Sequence, residues 1–403
     1  MAERHWKRYV GGSVLFLAVT IAAAFVTKLW VITALPIGFL FGFFLQKGDL
    51  CGASAFSEVL LARDWRKIQG LWVCIVVSMV GFALLERLGL ISLNVKPMYW
   101  LNYIVGGVLF GGGMVLAGGC VSGCLYKAAT GNLNSIAALL AMPFGMALVE
   151  YGPLKGLFTD MMTVVTHAPG GKPLGLPALT GIPYWQWTAV FVVATLAGAF
   201  LLRRNKRAHA TATGPSSGVF LRILTRPWKP WKAGLAIGVL AWFAYLSSAA
   251  TGRNYPLGVT HGVLYAHALI TDHDVVHVYK KAPSPPQAGP ASAAGPTAPA
   301  GKKIIWWLVL LVGGEMLGAF VSGKLSGEAR LLPKPPEQTL WAVLGGFLVG
   351  AGAVFATGCV IGNILSGWAL MSIGMFLFGL VTVLTNWAVT YLYLMGGSLF
   401  PEK

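Results

Sequence analysis

Ten apolar runs dominate this chain, lying roughly at residues 10–27, 31–45, 69–86, 101–118, 133–149, 184–202, 233–249, 304–322, 340–357 and 366–394. Each spans or nearly spans a hydrocarbon core about 30 Å thick if it is helical. A bilayer admits only helices or closed barrels, because backbone N–H and C=O groups find no water there. The expected class is therefore an all-α polytopic membrane protein with about nine or ten crossings, several of them short or broken. Composition points the same way: 56% of the 403 residues are hydrophobic, 11% are charged and the mean hydropathy is +0.70, which excludes an ordinary soluble domain.

One segment occurs twice. GGVLFGGGMVLAGGCVSGC, from Gly106 to Cys124, aligns without gaps on GGFLVGAGAVFATGCVIGN, from Gly345 to Asn363. Gly106 matches Gly345, Gly113 matches Gly352, Gly119 matches Gly358, Cys120 matches Cys359 and Gly123 matches Gly362. Glycine-interrupted apolar segments at corresponding positions of two halves are the pattern of transporters, whose sites lie at the repeat interface near the bilayer midplane. The plainer reading of the glycines is close helix packing.

Two membrane halves are expected, residues 1–202 and 233–396, joined by a basic cytoplasmic linker at 203–232. Lys and Arg cluster at Arg63, Arg66 and Lys67, at Arg203 to Arg207, at Arg222 to Lys232, and at Lys324, Arg330 and Lys334. The positive-inside rule assigns these to the cytoplasm. The first run follows Arg4, Lys7 and Arg8 and imitates a secretory signal, but the apolar stretch resumes at Trp30, which favours a retained helix. With the N-terminus inside and the segment from Tyr255 to Ile270 only dipping into the membrane, the two repeated spans run in opposite directions. The repeat is then inverted, and Cys120 and Cys359 are approached from opposite faces. The formal charge of +17 is spread over short loops without the aromatic interleaving of a nucleic-acid face, so it reads as orientation and a mild pull on small anions.

The Pro/Ala stretch at 282–300 is low in complexity and predicts a flexible outer loop. His261, His267, His273 and His277 precede it with Asp272 and Asp274 between them, yet their spacing fits no standard metal motif. No metal or other cofactor is expected. No nucleotide-binding loop or serine nucleophile elbow occurs in a credible context, which disfavours an ATP-driven pump.

Five cysteines, an odd number set in or beside apolar runs, argue against a disulfide framework. Cys51, in LQKGDLCGASAF, Cys120 and Cys359 each lie where an apolar run breaks. Broken backbone at membrane depth belongs where protein or a cavity covers it, and half-helix N-termini there aim N–H groups at an anion. Cys124 lies one turn beyond Cys120, and Gly119, Gly358 and Asn363 complete the duplicated motif. Cys74, inside LWVCIVVSMVGFALL, reads as a small buried hydrophobe. Glu315 is an intramembrane carboxylate, a candidate for proton coupling or for bonding to a neighbouring helix. Glu150, Tyr151, Thr382 and Asn386 are weaker candidates for polar lining.

With LQKGDLCGASAF, GGCVSGC and TGCVIGN in that order, the chain resembles the YeeE/YedE, or sulphur transport, membrane family over roughly residues 31–396. The resemblance implies an hourglass-like inverted-repeat bundle with broken and re-entrant helices in a bacterial inner membrane. It also implies thiosulfate as the substrate, passed along by cysteines placed as Cys51, Cys120 and Cys359 are, and a small cytoplasmic sulfur-carrier protein as partner. Cys124 departs from the histidine that relatives commonly carry there. The expected function is thus a permease for thiosulfate or a related small sulfur anion and not an enzyme. A membrane sulfurtransferase using a cysteine persulfide, and a transporter of another sulfur or selenium compound, stay open as alternatives.

Overall fold

The computed structural model describes residues 6–204, 224–280, 302–331 and 334–396. Most of the expected linker and all of the Pro/Ala loop at 282–300 lie outside the described residues. The first half carries α1 (Trp6–Thr27), α2 (Ala34–Gly48), α3 (Gly52–Ala62), α4 (Arg66–Arg87), α5 (Trp100–Leu116), α6 (Val121–Ala129) and α7 (Leu133–Glu150). Two short helices, α8 (Lys155–Thr163) and α9 (Leu176–Thr180), lead to α10 (Tyr184–Arg204). The second half carries α11 (Pro230–Ala250), α12 (Thr260–Thr271), α13 (Trp306–Ser326) and α14 (Pro336–Phe355). A π-helical turn (Val360–Leu365), α15 (Ser366–Ala369) and α16 (Ile373–Val389) follow.

Ten helical segments among the described residues are long and apolar enough to cross a membrane, and the protein is a multi-pass membrane protein. Beyond the helices lies one short parallel strand pair, β1 (Val275–Val278) with β2 (Lys302–Ile305), which organises part of the histidine-bearing stretch. Large exposed apolar side chains such as Leu15, Phe25, Val193 and Leu196 mark α1 and α10 as peripheral helices facing lipid.

Glycine sets the packing. In lipid, apolar side chains gain little by leaving their surroundings, so helices associate where small residues let backbones touch. A Cβ on Gly38 would lie 2.2 Å from the Leu311 carbonyl oxygen and one on Gly318 1.8 Å from that of Phe39, which locks α2 alongside α13. Gly234 against Gly70 does the same for α11 and α4, Gly350 against Met142 for α14 and α7, and Gly111 against Thr382 for α5 and α16. The two helices of each pair run parallel. The duplicated helices α5 and α14 instead pack antiparallel, with Gly106 against Gly352 and Gly345 against Gly113. Each of these contacts is the image of the other under the sequence alignment, as a contact across a two-fold axis must be.

Hydrogen bonds tie the helix ends into two faces. On one, Trp228 N donates to Lys47 O at 2.7 Å, Lys47 Nζ to Ser326 Oγ at 2.7 Å and Arg330 N to Thr130 O at 3.0 Å. On the other, Ile373 N donates to Leu174 O at 3.1 Å and Tyr245 Oη to Ser92 O at 2.9 Å.

Candidate functional site

Three helices break in one and the same way. The helix ends on a residue in the left-handed region, one further residue follows, and a cysteine in extended backbone starts the next helix. The left-handed residues are Asp49 (φ 45°), Gly118 (φ 67°) and Thr357 (φ 55°), and the cysteines are Cys51, Cys120 and Cys359. The amide after each left-handed residue returns to the preceding helix: Leu50 N to Leu45 O at 3.1 Å, Gly119 N to Met114 O at 3.1 Å and Gly358 N to Ala353 O at 2.7 Å. This is a Schellman-type C-cap that satisfies carbonyls with no water to turn to. The cysteine carbonyl then accepts the first bond of the new helix, from Ala55, Cys124 or Asn363. Thr357 is β-branched in a region that favours glycine, and it is held there by bonds described below.

The breaks meet. Cys51 and Cys120 are each 1% exposed and Cys359 is fully buried. A Cβ on Gly123 would lie 2.5 Å from Cys51 Sγ and 3.5 Å from Cys120 Sγ, so the missing side chain leaves room for both sulfurs. A Cβ on Gly52 would lie 2.8 Å from Val360 Cγ1, which places the first break against the residue that follows Cys359.

Cys124 and Asn363 do a different job. The Cys124 thiol points back to Gly119 O at 3.6 Å and Ala117 O at 3.9 Å, and Asn363 Nδ2 donates to Ala356 O at 2.8 Å and Gly358 O at 3.1 Å. The aligned residues thus make aligned bonds, each tying a new helix to the end of the old one. Gly119 and Gly358 are required for it: a Cβ would meet Cys124 Sγ at 3.0 Å or Asn363 Oδ1 at 2.3 Å. All four sequence candidates sit at the breaks, the Cys124 thiol and Asn363 Nδ2 turned to backbone carbonyls.

A lysine attends each break, and sequence reasoning assigned none of them to the site. Lys67 Nζ donates to Asp49 Oδ2 at 2.6 Å, Lys127 Nζ to Gly118 O at 2.7 Å, and Lys96 Nζ to Thr357 O at 2.5 Å and Asn363 Oδ1 at 3.2 Å. The ammonium groups of Lys127 and Lys96 lie on carbonyls at the negative ends of the broken helices, while Lys67 is held by carboxylates. The signal was weak because all three lysines belong to the first half and lie outside the duplicated segment, so the repeat does not mark them. Lys67 is also paired with Glu58 at 2.5 Å, and Asp49 accepts from Tyr126 Oη at 2.7 Å. A cavity of about 240 Å³ opens beside this cluster, lined by both signs of charge, including Lys47, Asp49, Glu58, Lys67 and Glu328.

Glu315 is fully buried on α13 near Ser122 of α6, and among the described residues neither its two carboxylate oxygens nor the Ser122 Oγ has a partner at hydrogen-bond geometry. Cys74 is buried on α4 away from the breaks, with Ser78 Oγ bonded to its carbonyl. Asn386 Oδ1 accepts from Ser57, while Thr382 Oγ1 has no partner among the described residues. The histidines face different neighbours: His261 lies 4.0 Å from Glu150, His267 meets Phe144 edge to face and His277 Nδ1 accepts from Trp306 Nε1 at 3.1 Å. No group of three potential metal ligands occurs among the described residues.

The family described as sulphur transport matches residues 47–388, from the first break through α16. The chain belongs to the sulphur transport family. Within that family it is 30% identical over 368 residues to a thiosulfate transporter, TsuA, of Spirochaeta thermophila, covering 89% of this chain and 98% of that protein. It is 29% identical over 343 residues to the thiosulfate transporter TsuA of Escherichia coli, covering 85% of this chain and 88% of that one. A probable transporter of the same bacterium, YedE, is 29% identical over 121 residues, 29% of each chain.

Proposed function

We propose that this protein is an inner-membrane permease for thiosulfate or a closely related sulfur anion, which passes the thiols of Cys51, Cys120 and Cys359 in turn. The observation that carries this reading is the convergence of three identically built helix breaks, each starting a new helix at a cysteine, around the space left by Gly123 and Gly52. A thiosulfate dianion has a soft terminal sulfur. A neutral thiol donates to it weakly, and an ordinary thiol with a pKa near 8.5 is mostly protonated at neutral pH. Transport needs such weakness, since a station must attract the ion and then let it go. Thiolates would repel it. The antiparallel packing of α5 and α14 supports an inverted repeat, in which the two aligned cysteines are reached from opposite faces. By the positive-inside rule, the face carrying Lys47, Lys67, Lys229 and Arg330 is cytoplasmic. A small sulfur-carrier protein would receive its cargo there.

Labelled-thiosulfate uptake by the purified protein in liposomes tests this. Thiosulfate should saturate uptake and compete its own label at least about tenfold better than sulfate, which lacks the soft sulfur; a tenfold preference corresponds to about 1.4 kcal/mol. Equal competition by sulfate would remove the role of the thiols in selectivity. A persulfide on Cys120 or Cys359 whose blockade stops uptake would replace this reading with the sulfurtransferase one.

A further inference from the structure

A fourth helix break lies between α11 and α12, and it has no cysteine. It begins as the other three do: Gly252 takes the left-handed conformation (φ 76°), and the next amide, Arg253 N, returns to Ser248 O at 3.0 Å. The chain then makes a longer loop through Asn254 to Gly258 before α12 starts after Val259. Under the alignment of the two halves, Gly362 is the counterpart of Gly123. Cys51 lies against Gly123, while Gly362 faces Gly258 (a Cβ on Gly362 would lie 3.9 Å from the Gly258 Cα). A Cβ on Gly258 would lie 3.1 Å from Arg253 Nη2. Where the first half brings a thiol to the meeting point, the second half brings the edge of a guanidinium.

This guanidinium is only partly used. Its hydrogen bonds among the described residues all leave from Nη1, to Ser248 Oγ at 3.2 Å, Tyr255 O at 2.9 Å and Pro256 O at 2.8 Å. Nη2 and Nε have no acceptor among the described residues. Lys96 stands beside it: Arg253 and Lys96 lie 5.5 and 5.1 Å from the centre of the same Tyr255 ring, and Tyr255 Oη donates to Gly362 O at 2.8 Å. Neither cation is in an ion pair among the described residues, whereas Lys67 on the other face has both Asp49 and Glu58. Glu150, a carboxylate at the end of α7, lies 4.0 Å from His261.

We propose that Arg253 and Lys96 form an anion-binding station on the side of the molecule away from the basic face, which takes a divalent sulfur oxyanion through the free Nη2 and Nε edge of Arg253 before it reaches Cys359. The claim rests on the permease reading above and adds where the ion is first held. Two half-buried cations sharing the Tyr255 ring, with Arg253 also 4.8 Å from the Trp307 ring and neither paired with a carboxylate among the described residues, repel each other and lack the hydration they would have in water; a dianion relieves both costs at once. The strain shows in their titration. Burial and then the charge of Arg253 push Lys96 down to about 7, and burial pushes Arg253 down to about 10. The same positive field, after burial, pushes His261 down to about 4. A planar guanidinium edge suits an oxyanion better than an ammonium does, since it offers two parallel N–H donors.

The test is sided uptake by the full chain in liposomes, comparing Arg253→Gln, Arg253→Lys and Lys96→Gln with the natural protein. For Arg253→Gln, KM for thiosulfate offered from the Arg253 side should rise about tenfold or more, as expected for the loss of a charge-assisted bond, with KM for movement from the basic face unchanged. Arg253→Lys should recover part of the loss, and Lys96→Gln should raise the same KM by a smaller factor. A folding defect would alter KM or rate from both sides. Unchanged KM from the Arg253 side in Arg253→Gln, while Cys359→Ala abolishes uptake, overturns the station and leaves the permease reading intact. If the natural protein moves no thiosulfate, thermal stabilisation by thiosulfate and by sulfate decides: stabilisation lost in Arg253→Gln keeps the station and discards the substrate, and no stabilisation discards both.

Discussion

At the scale of single residues, the meeting point depends on absent side chains as much as on thiols. Gly123 and Gly362 are equivalent in sequence but not in surroundings: a Cβ at the first would lie 2.5 Å from Cys51 Sγ, and at the second only the Gly258 Cα approaches, at 3.9 Å. Gly123→Ala should therefore displace the Cys51 thiol and lower the initial rate of uptake about tenfold or more, since small misplacements of a working group cost that much. Gly362→Ala should stay within about twofold of the natural protein, because the added methyl makes only an ordinary contact. Initial rates in liposomes at matched protein content measure both, and equal loss in the two variants would contradict the asymmetry. The cysteines were legible in the sequence because Cys120 and Cys359 recur in one motif and Cys51 sits at a break. Lys67, Lys96, Lys127 and Arg253 were not, because short-loop cations carry an orientation signal that hides any other use, and no repeat marks them. For Cys124 and Asn363 the place was legible and the bonding partner was not, since a side chain turned back on its own helix end leaves no mark in spacing.

Between elements, glycine decides which helices touch. The sequence showed runs of glycine in α5 and α14 but not which members meet a neighbour. Gly345 does: its Cβ would lie 2.3 Å from the amide nitrogen of Ala117, at the end of α5. Gly112 does not, its nearest neighbour being Val389 Cγ2 at 3.5 Å. Gly345→Ala should force the two helices apart and cost about 1–3 kcal/mol, seen as a thermal midpoint several degrees lower in detergent. Gly112→Ala should leave the midpoint unchanged or slightly raised, because alanine is the better helix former. A lower midpoint for Gly112→Ala than for Gly345→Ala would contradict the packing. Most spans were readable to within a few residues, since a membrane helix announces itself by length and hydropathy. The short strand pair β1–β2 and the fourth break after α11 were missed, the first because four-residue strands carry little periodicity. The fourth break lacks the glycine-cysteine signature that exposed the other three.

For the whole molecule, α5 and α14 pack antiparallel, the relative direction expected of the two repeated spans. What that direction does not give is the difference between the two sides. One is lined by cations balanced with Asp49 and Glu58, the other by Lys96 and Arg253 with no carboxylate paired to them among the described residues. Under the proposed station an anion is held on the Arg253 side and released on the other, so this reading predicts uptake toward the basic face. The central claim is that the ion passes three thiols where the breaks meet, and thiosulfate uptake by single cysteine variants in liposomes tests it most directly. Cys120→Ala and Cys359→Ala should each lose nearly all uptake, Cys51→Ala should be strongly impaired, and Cys74→Ala, buried on α4 away from the breaks, should transport at close to the natural rate. Natural rates in Cys120→Ala or Cys359→Ala, or a loss in Cys74→Ala as large as theirs, would contradict it.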